Sequence, residues 1–551
     1  MWHGSDGTLD QAFDGDAAMP GHRGNGVVNT GTTADAFAAA TQADGKVVVT
    51  GTDFGSDDVF RVARYNRDGT LDTSFDGDAA MPSYPGNGVV TTDVRVSASI
   101  ERAFAITIQR DGKILLAGRT VVAGSDDMAL VRYNADGTLD TSFDGDAAMP
   151  GYPGNGKVVR DMAGEFDEAH SVAVRPDGRI VVAGTGLHAG TARFALLQLN
   201  ADGSLDATFD GDATMPLYPG NGRVVTAFAG ASRGYAMVLQ ADGMIVVSGV
   251  TDNGAERNFA IARCASDGTL DVTFDGSAAM PGYPGNGKVT TAYGSTSDNY
   301  FGGLAQQADG KLVQSGSLLG GGSEGVAVAR YNVDGSLDTS FDGDAAMPGY
   351  PGNGVVRTIM PSLMYTTHDA MVTPDSRIVV VADTDNAGDS ATTLVYRTDG
   401  TLDTSFSGDG VAYANPTGGD DAVRGVTLGI DGRIVTVGSF GDVGFLLLSY
   451  EGLPVPDWNS GVNDWSTSAF GTCLSATSGG AGWVPTLNCP TGTPSAWHAV
   501  PDHSGSSGNV VATSPSGTTN TTASMRFGFR PSPTQKPGAY VAPVVFEVVA
   551  T

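Results

Sequence analysis

The clearest pattern in the chain is a short alternation of apolar and polar residues broken by Asp-Gly pairs. Ser171–Arg175 reads Ser-Val-Ala-Val-Arg, Arg179–Gly184 reads Arg-Ile-Val-Val-Ala-Gly, and Phe194–Asn200 is a third apolar-rich run. A period of two marks a strand, and Pro176-Asp177-Gly178 between the first two runs is a hairpin signal. Lys157–Arg160, upstream, is a fourth short run. No segment sustains a capped helical period.

The set returns along the chain. Asp-Gly-(Thr/Ser)-Leu-Asp begins at Asp6, Asp68, Asp136, Asp202, Asp267, Asp334 and Asp399, at intervals of 62, 68, 66, 65, 67 and 65 residues. Shortly after it stands Phe13, Phe75, Phe143, Phe209, Phe274 or Phe341, opening a long loop of the type Phe-Asp-Gly-Asp-Ala-Ala-Met-Pro-Gly-Tyr-Pro-Gly-Asn-Gly; the last unit has the shorter Phe406-Ser-Gly-Asp-Gly. A fixed period of this kind implies a repeat architecture. Four antiparallel strands per unit predict an all-β fold, a β-propeller.

We label the strands of a blade A (Ser171–Arg175), B (Arg179–Gly184), C (Phe194–Asn200) and D, the run after Gly-Asn-Gly. The first unit offers only a D strand, Val27–Thr30; the last offers A (Gly425–Gly429), B (Arg433–Gly438) and C (Phe445–Tyr450) with no D. The N-terminal strand is therefore predicted to complete the last blade, giving a seven-bladed propeller with no open edge. Residues 1–452 form this domain. Residues 453–551 read differently: Pro454-Val455-Pro456 is a stiff link, and the alternation of Met525, Phe527 and Phe529 with Arg526 and Arg530 predicts a small β-sandwich.

The repeated Tyr-Asn-x-Asp-Gly-(Thr/Ser)-Leu-Asp-x-x-Phe, then Gly-x-Val-Val, then Asp-Gly-(Lys/Arg)-(Ile/Val)-Val-Val-x-Gly resembles the delta-60 repeat family of secreted bacterial proteins, over Asp6 to Tyr450. The resemblance implies a propeller-like protein that is extracellular or at the cell surface, and implies no common activity. The Asp-Ala-Ala-Met-Pro-Gly-Tyr-Pro-Gly-Asn insert departs from the family spacing, which the last unit keeps.

Composition narrows the function. With 31 basic against 61 acidic residues the formal charge is −30, which argues against nucleic acid and anionic membrane surfaces. No apolar run is long enough to span a bilayer, so membrane insertion is not expected. Cys473 and Cys489 are close enough in the tail for a disulfide that would suit an exported protein. Of the acids, 54 are Asp and 7 are Glu. Asp serves both turns and calcium. The paired acids of the long loops, Asp14 and Asp16, Asp76 and Asp78, Asp144 and Asp146, Asp210 and Asp212, Asp342 and Asp344, are accordingly the calcium candidates, with turn capping and blade-plugging as the competing role.

A–B turns and C–D connections share one face, which is uniform. D–A and B–C loops share the other, which differs in every blade, as at Thr185–Ala192 and Val250–Asn258. Variable loops on a rigid scaffold are where binding usually resides. The expected function is an exported, non-enzymatic scaffold that binds a protein or polysaccharide on the variable face. The alternatives are a polysaccharide hydrolase or lyase at the channel mouth, and a structural protein assembling through its repeated loops. His170 and His368 fall just before strand A, where they could approach the central channel; Asp167, Asp298, Asp369, Asp420 and Asp421 also precede strand A and are read as solvated loop charge, with an acidic ring at one mouth as the alternative.

Overall fold

A computed structural model describes residues 7–450 except 16–24, 30–33, 56–57, 78–86, 96–99, 123, 146–154, 163–165, 212–221, 253, 255–256, 277–285, 296–301, 319–323, 345–352, 361–362, 386–388, 417–420 and 441–443; beyond 450 it describes the backbone of five strands. Seven four-stranded antiparallel sheets follow one another around an axis. Blade 3 is typical: strand A is Asp167–Val174, B is Ile180–His188, C is Thr191–Leu199 and D is Arg223–Thr226, hydrogen-bonded in that order. No described residue is helical.

The sequence pattern follows from the position of each strand. B and C lie between neighbouring blades and are covered on both faces, so Ile180–Ala183 and Phe194–Leu197 are apolar almost throughout and buried. Strand A lines the axis and alternates between buried and half-buried residues. Each gap between blades holds its own core. Between blades 2 and 3, Phe143, Leu130 and Val158 pack on Val172, Ile180, Val182 and Leu199. Phe143 is wholly buried, which stabilises by about 1.5–3 kcal/mol.

The ring closes as the sequence predicts. Val27–Asn29 pairs antiparallel with Phe445–Tyr450, with Val28 opposite Leu447, and completes blade 7, whose A and B strands are Asp421–Leu428 and Ile434–Phe440. Asp10 N donates to Ser449 O at 2.7 Å, and Arg433 meets Asp10 at 2.6 Å.

One expectation needs correction. The variable stretch Thr185–Ala192 is mostly strand rather than loop, because B and C run on until only Ala189 and Gly190 remain between them. Both have positive φ, 50° and 74°, as a type I′ hairpin turn requires, and that turn matches the twist of the strands it joins.

In the tail, Phe470–Ser478 pairs with Thr522–Phe529 and with His498–Ala499, and Val484–Pro485 pairs with Ala512–Thr513, giving two small antiparallel sheets. Cys473 lies in the first of these strands; Cys489 is outside the described residues, as are the side chains that would form the disulfide.

Candidate functional site

On the uniform face the repeated acids hold the blades together. Asp136 Oδ1 accepts from Thr138 N at 3.0 Å and from Thr138 Oγ1 at 2.7 Å, fixing the turn. Asp140 receives Arg132 Nε at 2.7 Å and Lys113 Nζ at 2.8 Å, and caps Ser142. Burial pushes the Asp140 carboxyl up, but the bonds from Lys113, Ser142 and Arg132 outweigh burial and hold it well below the usual carboxylate range. The Arg132 guanidinium lies 4.5 Å from the Phe143 ring centroid and also donates to Ala201 O in the next unit. Arg64, Arg263 and Arg330 repeat the arrangement with Asp72, Asp271 and Asp338. Blade 3 has Gln198 where blades 1, 2, 4 and 5 have Arg. There Arg175 binds Gln198 Oε1 at 2.7 Å and reaches Gly243 O and Ser266 O, so the strap to the next blade survives by another route.

The long loops begin at these junctions. Asp144 N donates to Asp202 O at 2.8 Å, and Asp14, Asp76, Asp210 and Asp342 make the same bond to the following repeat. A Cβ on Gly145 would lie 1.8 Å from Gly203 O, which is why Gly follows each of these Asp residues. Asp344 is buried, and its Oδ2 accepts from Arg357 N at 2.9 Å. Asp16, Asp78, Asp146 and Asp212 lie outside the described residues.

At the axis lies a feature the sequence reading missed. Strand A bulges by one residue in most blades, between Ala36 and Ala38, Ala103 and Ala105, Ala169 and Ser171, Gly234 and Ala236, and Val423 and Gly425. The extra residues are Phe37, Phe104, His170, Tyr235 and Arg424, and they form a continuous arc of contacts, edge-on at Phe37–Phe104 and His170–Tyr235 and stacked at Phe104–His170. Arg424 lies 5.1 Å from the Phe37 ring centroid; Phe37 to Phe104 is 5.3 Å, Phe104 to His170 is 4.8 Å, and His170 to Tyr235 is 5.2 Å. His368 occupies a bulge in blade 6.

The two histidines are therefore inside strand A and not in the loop before it. His170 Nε2 is 3.1 Å from Glu168, and His368 Nε2 is 2.7 Å from Asp383, whose other oxygen accepts from Val423 N of blade 7. Asp167 and Asp421 are also within the strand and wholly buried, which corrects their reading as solvated charge. The physical reason is that strand A starts earlier than its alternation suggests, because the bulge shifts the phase of the pattern. Asp369 also lies inside its strand, while Asp298 and Asp420 lie outside the described residues.

Segments 42–75, 109–143, 175–209, 240–274, 307–341 and 373–406 match a family model described as a domain of unknown function (DUF5122) beta-propeller. Each runs from an A–B turn to the Phe wedged between blades. The chain is a propeller-repeat protein. No curated protein matches it. Among solved structures, the propeller-repeat chain is similar to a protein of unknown function from Dyadobacter fermentans DSM 18053, at 10% identity over 77% of this chain and 99% of that one, TM-score 0.36. It is similar to Drosophila Semaphorin 2a at 9% identity over 77% and 75%, TM-score 0.40. It is also similar to polysaccharide lyase Uly1 at 11% identity over 82% and 98%, TM-score 0.39.

Proposed function

We propose that this propeller is an exported, non-enzymatic binding scaffold that engages its partner on the face built from the D–A and B–C connections. The observation that supports this is how the two faces use their polar groups. On the uniform face, Arg64, Arg132, Arg263 and Arg330 are buried and, with their Asp partners, committed to neighbouring blades. On the other face the connections differ from blade to blade, as Ser125–Asp127, His188–Thr191 and Asp252–Arg257 illustrate, so that face is free to be specific. The charge of −30 favours a neutral or basic partner over an acidic polymer. The two His–acid pairs at the axis brace the wall, which supports a non-enzymatic reading over a hydrolase or lyase.

The test is a glycan array of neutral and acidic polysaccharides, probed with the full chain and with a variant in which the turn His188–Thr191 is replaced by Ser-Asn-Gly-Ser. Selective binding to neutral glycans, lost in the variant while the melting temperature holds, supports the reading. Binding that survives the change and is lost on altering the uniform face overturns it.

Calcium at the long loops is a second reading. It is favoured by Asp344 Oδ1, which is buried without a hydrogen-bond partner among the described residues; burial and the nearby Asp342 push that carboxyl up. Calorimetry on the Asp342→Asn/Asp344→Asn variant of the full chain should show one calcium fewer than the wild type. An unchanged count removes this loop from the reading.

A further inference from the structure

The junction of blades 2 and 3 holds a group of acids that the repeat does not require. Asp127 lies in strand C of blade 2, Ser125–Tyr133; Asp161 directly follows strand D, Lys157–Arg160; and Asp167 opens strand A of blade 3. One carboxylate oxygen from each lies within 4.8 Å of the others. Asp127 is 7% exposed and Asp167 wholly buried, whereas Asp161 is open to solvent. The group thus has a buried floor and a single exposed side.

Asp127 is the decisive member. Its carboxylate is turned toward the other two and receives no hydrogen bond or ion pair among the described residues. A buried carboxylate without donors is costly, and its neighbours here have the same charge. Burial and Asp161 push it up to about 6, and Arg95 and Arg223 offset only part of this. Asp167, by contrast, is held in place, its Oδ2 accepting from Met162 N at 2.6 Å. The fold does not demand an acid at Asp127. Counting six residues back from the buried residue at the end of strand C, the other blades have Val59, Arg193, Asn258, Gly325, Ser390 and Gly444.

We propose that Asp127, Asp161 and Asp167 form a calcium site that clamps blade 2 to blade 3 on the non-repeated face. Carboxylate oxygens suit a hard cation. Calcium–oxygen distances of about 2.3–2.6 Å put opposite ligands roughly 5 Å apart, while magnesium needs a rigid shell only about 4 Å across. Calcium accepts a flexible shell completed by water, which suits carboxylates drawn from two blades with Asp161 open to solvent.

The test is titration calorimetry of the full chain, stripped with a chelator and titrated at pH 7.5 with calcium chloride and, separately, magnesium chloride. Asp127→Asn should bind one calcium fewer than the wild type. Asp161→Asn, an exposed change that leaves the fold alone, should weaken the same site at least tenfold. Without calcium, Asp127→Asn should melt above the wild type because the repulsion is gone, and it should gain less when calcium is added. The Asp342→Asn/Asp344→Asn variant should keep the Asp127-dependent site, so the two calcium readings fail separately. Equal stoichiometry and affinity in the wild type, Asp127→Asn and Asp161→Asn would overturn the proposal, as would magnesium binding as tightly as calcium.

Discussion

Val28 sits opposite Leu447 in the outermost pair of blade 7, so the beginning of the propeller is hydrogen-bonded to its end. Removing residues 1–30 takes away this strand together with Phe13, which is buried in the same core as Phe445. The exposed edge of Phe445–Tyr450 and the opened ring should lower the melting temperature in one cooperative step. A truncated protein that melts like the full chain would refute the closure.

Arg132 should be a strong point of the junction between blades 2 and 3. Arg132→Ala leaves the buried Asp140 with only Lys113 for charge and removes the cover from Phe143. A loss of about 3 kcal/mol is expected in urea unfolding. Arg132→Lys should not restore it, since an ammonium cannot serve Asp140, Phe143 and Ala201 O together.

Acid should unfold the propeller through the same network. Asp72, Asp140 and Asp338 are held well below their ordinary 3.8 once folded. The unfolded chain takes up these protons near pH 4, while the folded one resists until much lower pH. Their stabilisation is thus complete above about pH 4 and lost as pH falls toward the folded values. Asp127 has the opposite sign. Its folded value of about 6 lies above 3.8, so in metal-free protein its contribution is lost as pH rises from about 4 to 6. Asp140→Asn should flatten the acid limb of a stability–pH curve, and Asp127→Asn the limb between pH 4 and 6.

Ser376 adopts φ 67° in the A–B turn of blade 6, where other blades have Gly45, Gly112, Gly178, Gly243, Gly310 and Gly432. A side chain there costs about 1–2 kcal/mol, against about 0.5–1 kcal/mol for the extra entropy of an unfolded Gly. Ser376→Gly should therefore stabilise the protein by up to about 1 kcal/mol, measured by urea unfolding.

In protein made under oxidising conditions, mass mapping should find Cys473 joined to Cys489, a closure expected to stabilise the tail by ~3 kcal/mol. Two free thiols in such material would remove one support for export.

The blades were legible because their signals repeat and are local. Asp-Gly turns, the apolar runs of B and C and the half-unit at each end are enough to derive seven blades and their closure. The arc at the axis was not legible, because its residue type is not kept: Phe37 and Phe104 give way to His170, Tyr235 and Arg424. A signal did exist. Each of these stands eight residues before the positive-φ residue of its A–B turn, and all but Arg424 are flanked by small residues on both sides, as in Ala103-Phe104-Ala105. Gly302 holds that position in blade 5, where a Cβ would meet Ser315 O at 1.5 Å. The Asp127 group was hidden for a different reason. Its members come from two blades, and no single unit contains the pattern.

The pairing of Val28 with Leu447 also sets an order of events during synthesis. The first strand of the ring to be made must wait for the last strand of the ring before it has a partner. Until Phe445–Tyr450 emerges, blades 1–6 can form only an open arc with unsatisfied backbone at both ends. The propeller thus becomes a closed body only when its translation is nearly finished, and any export of this domain in an unfolded state has that whole interval available.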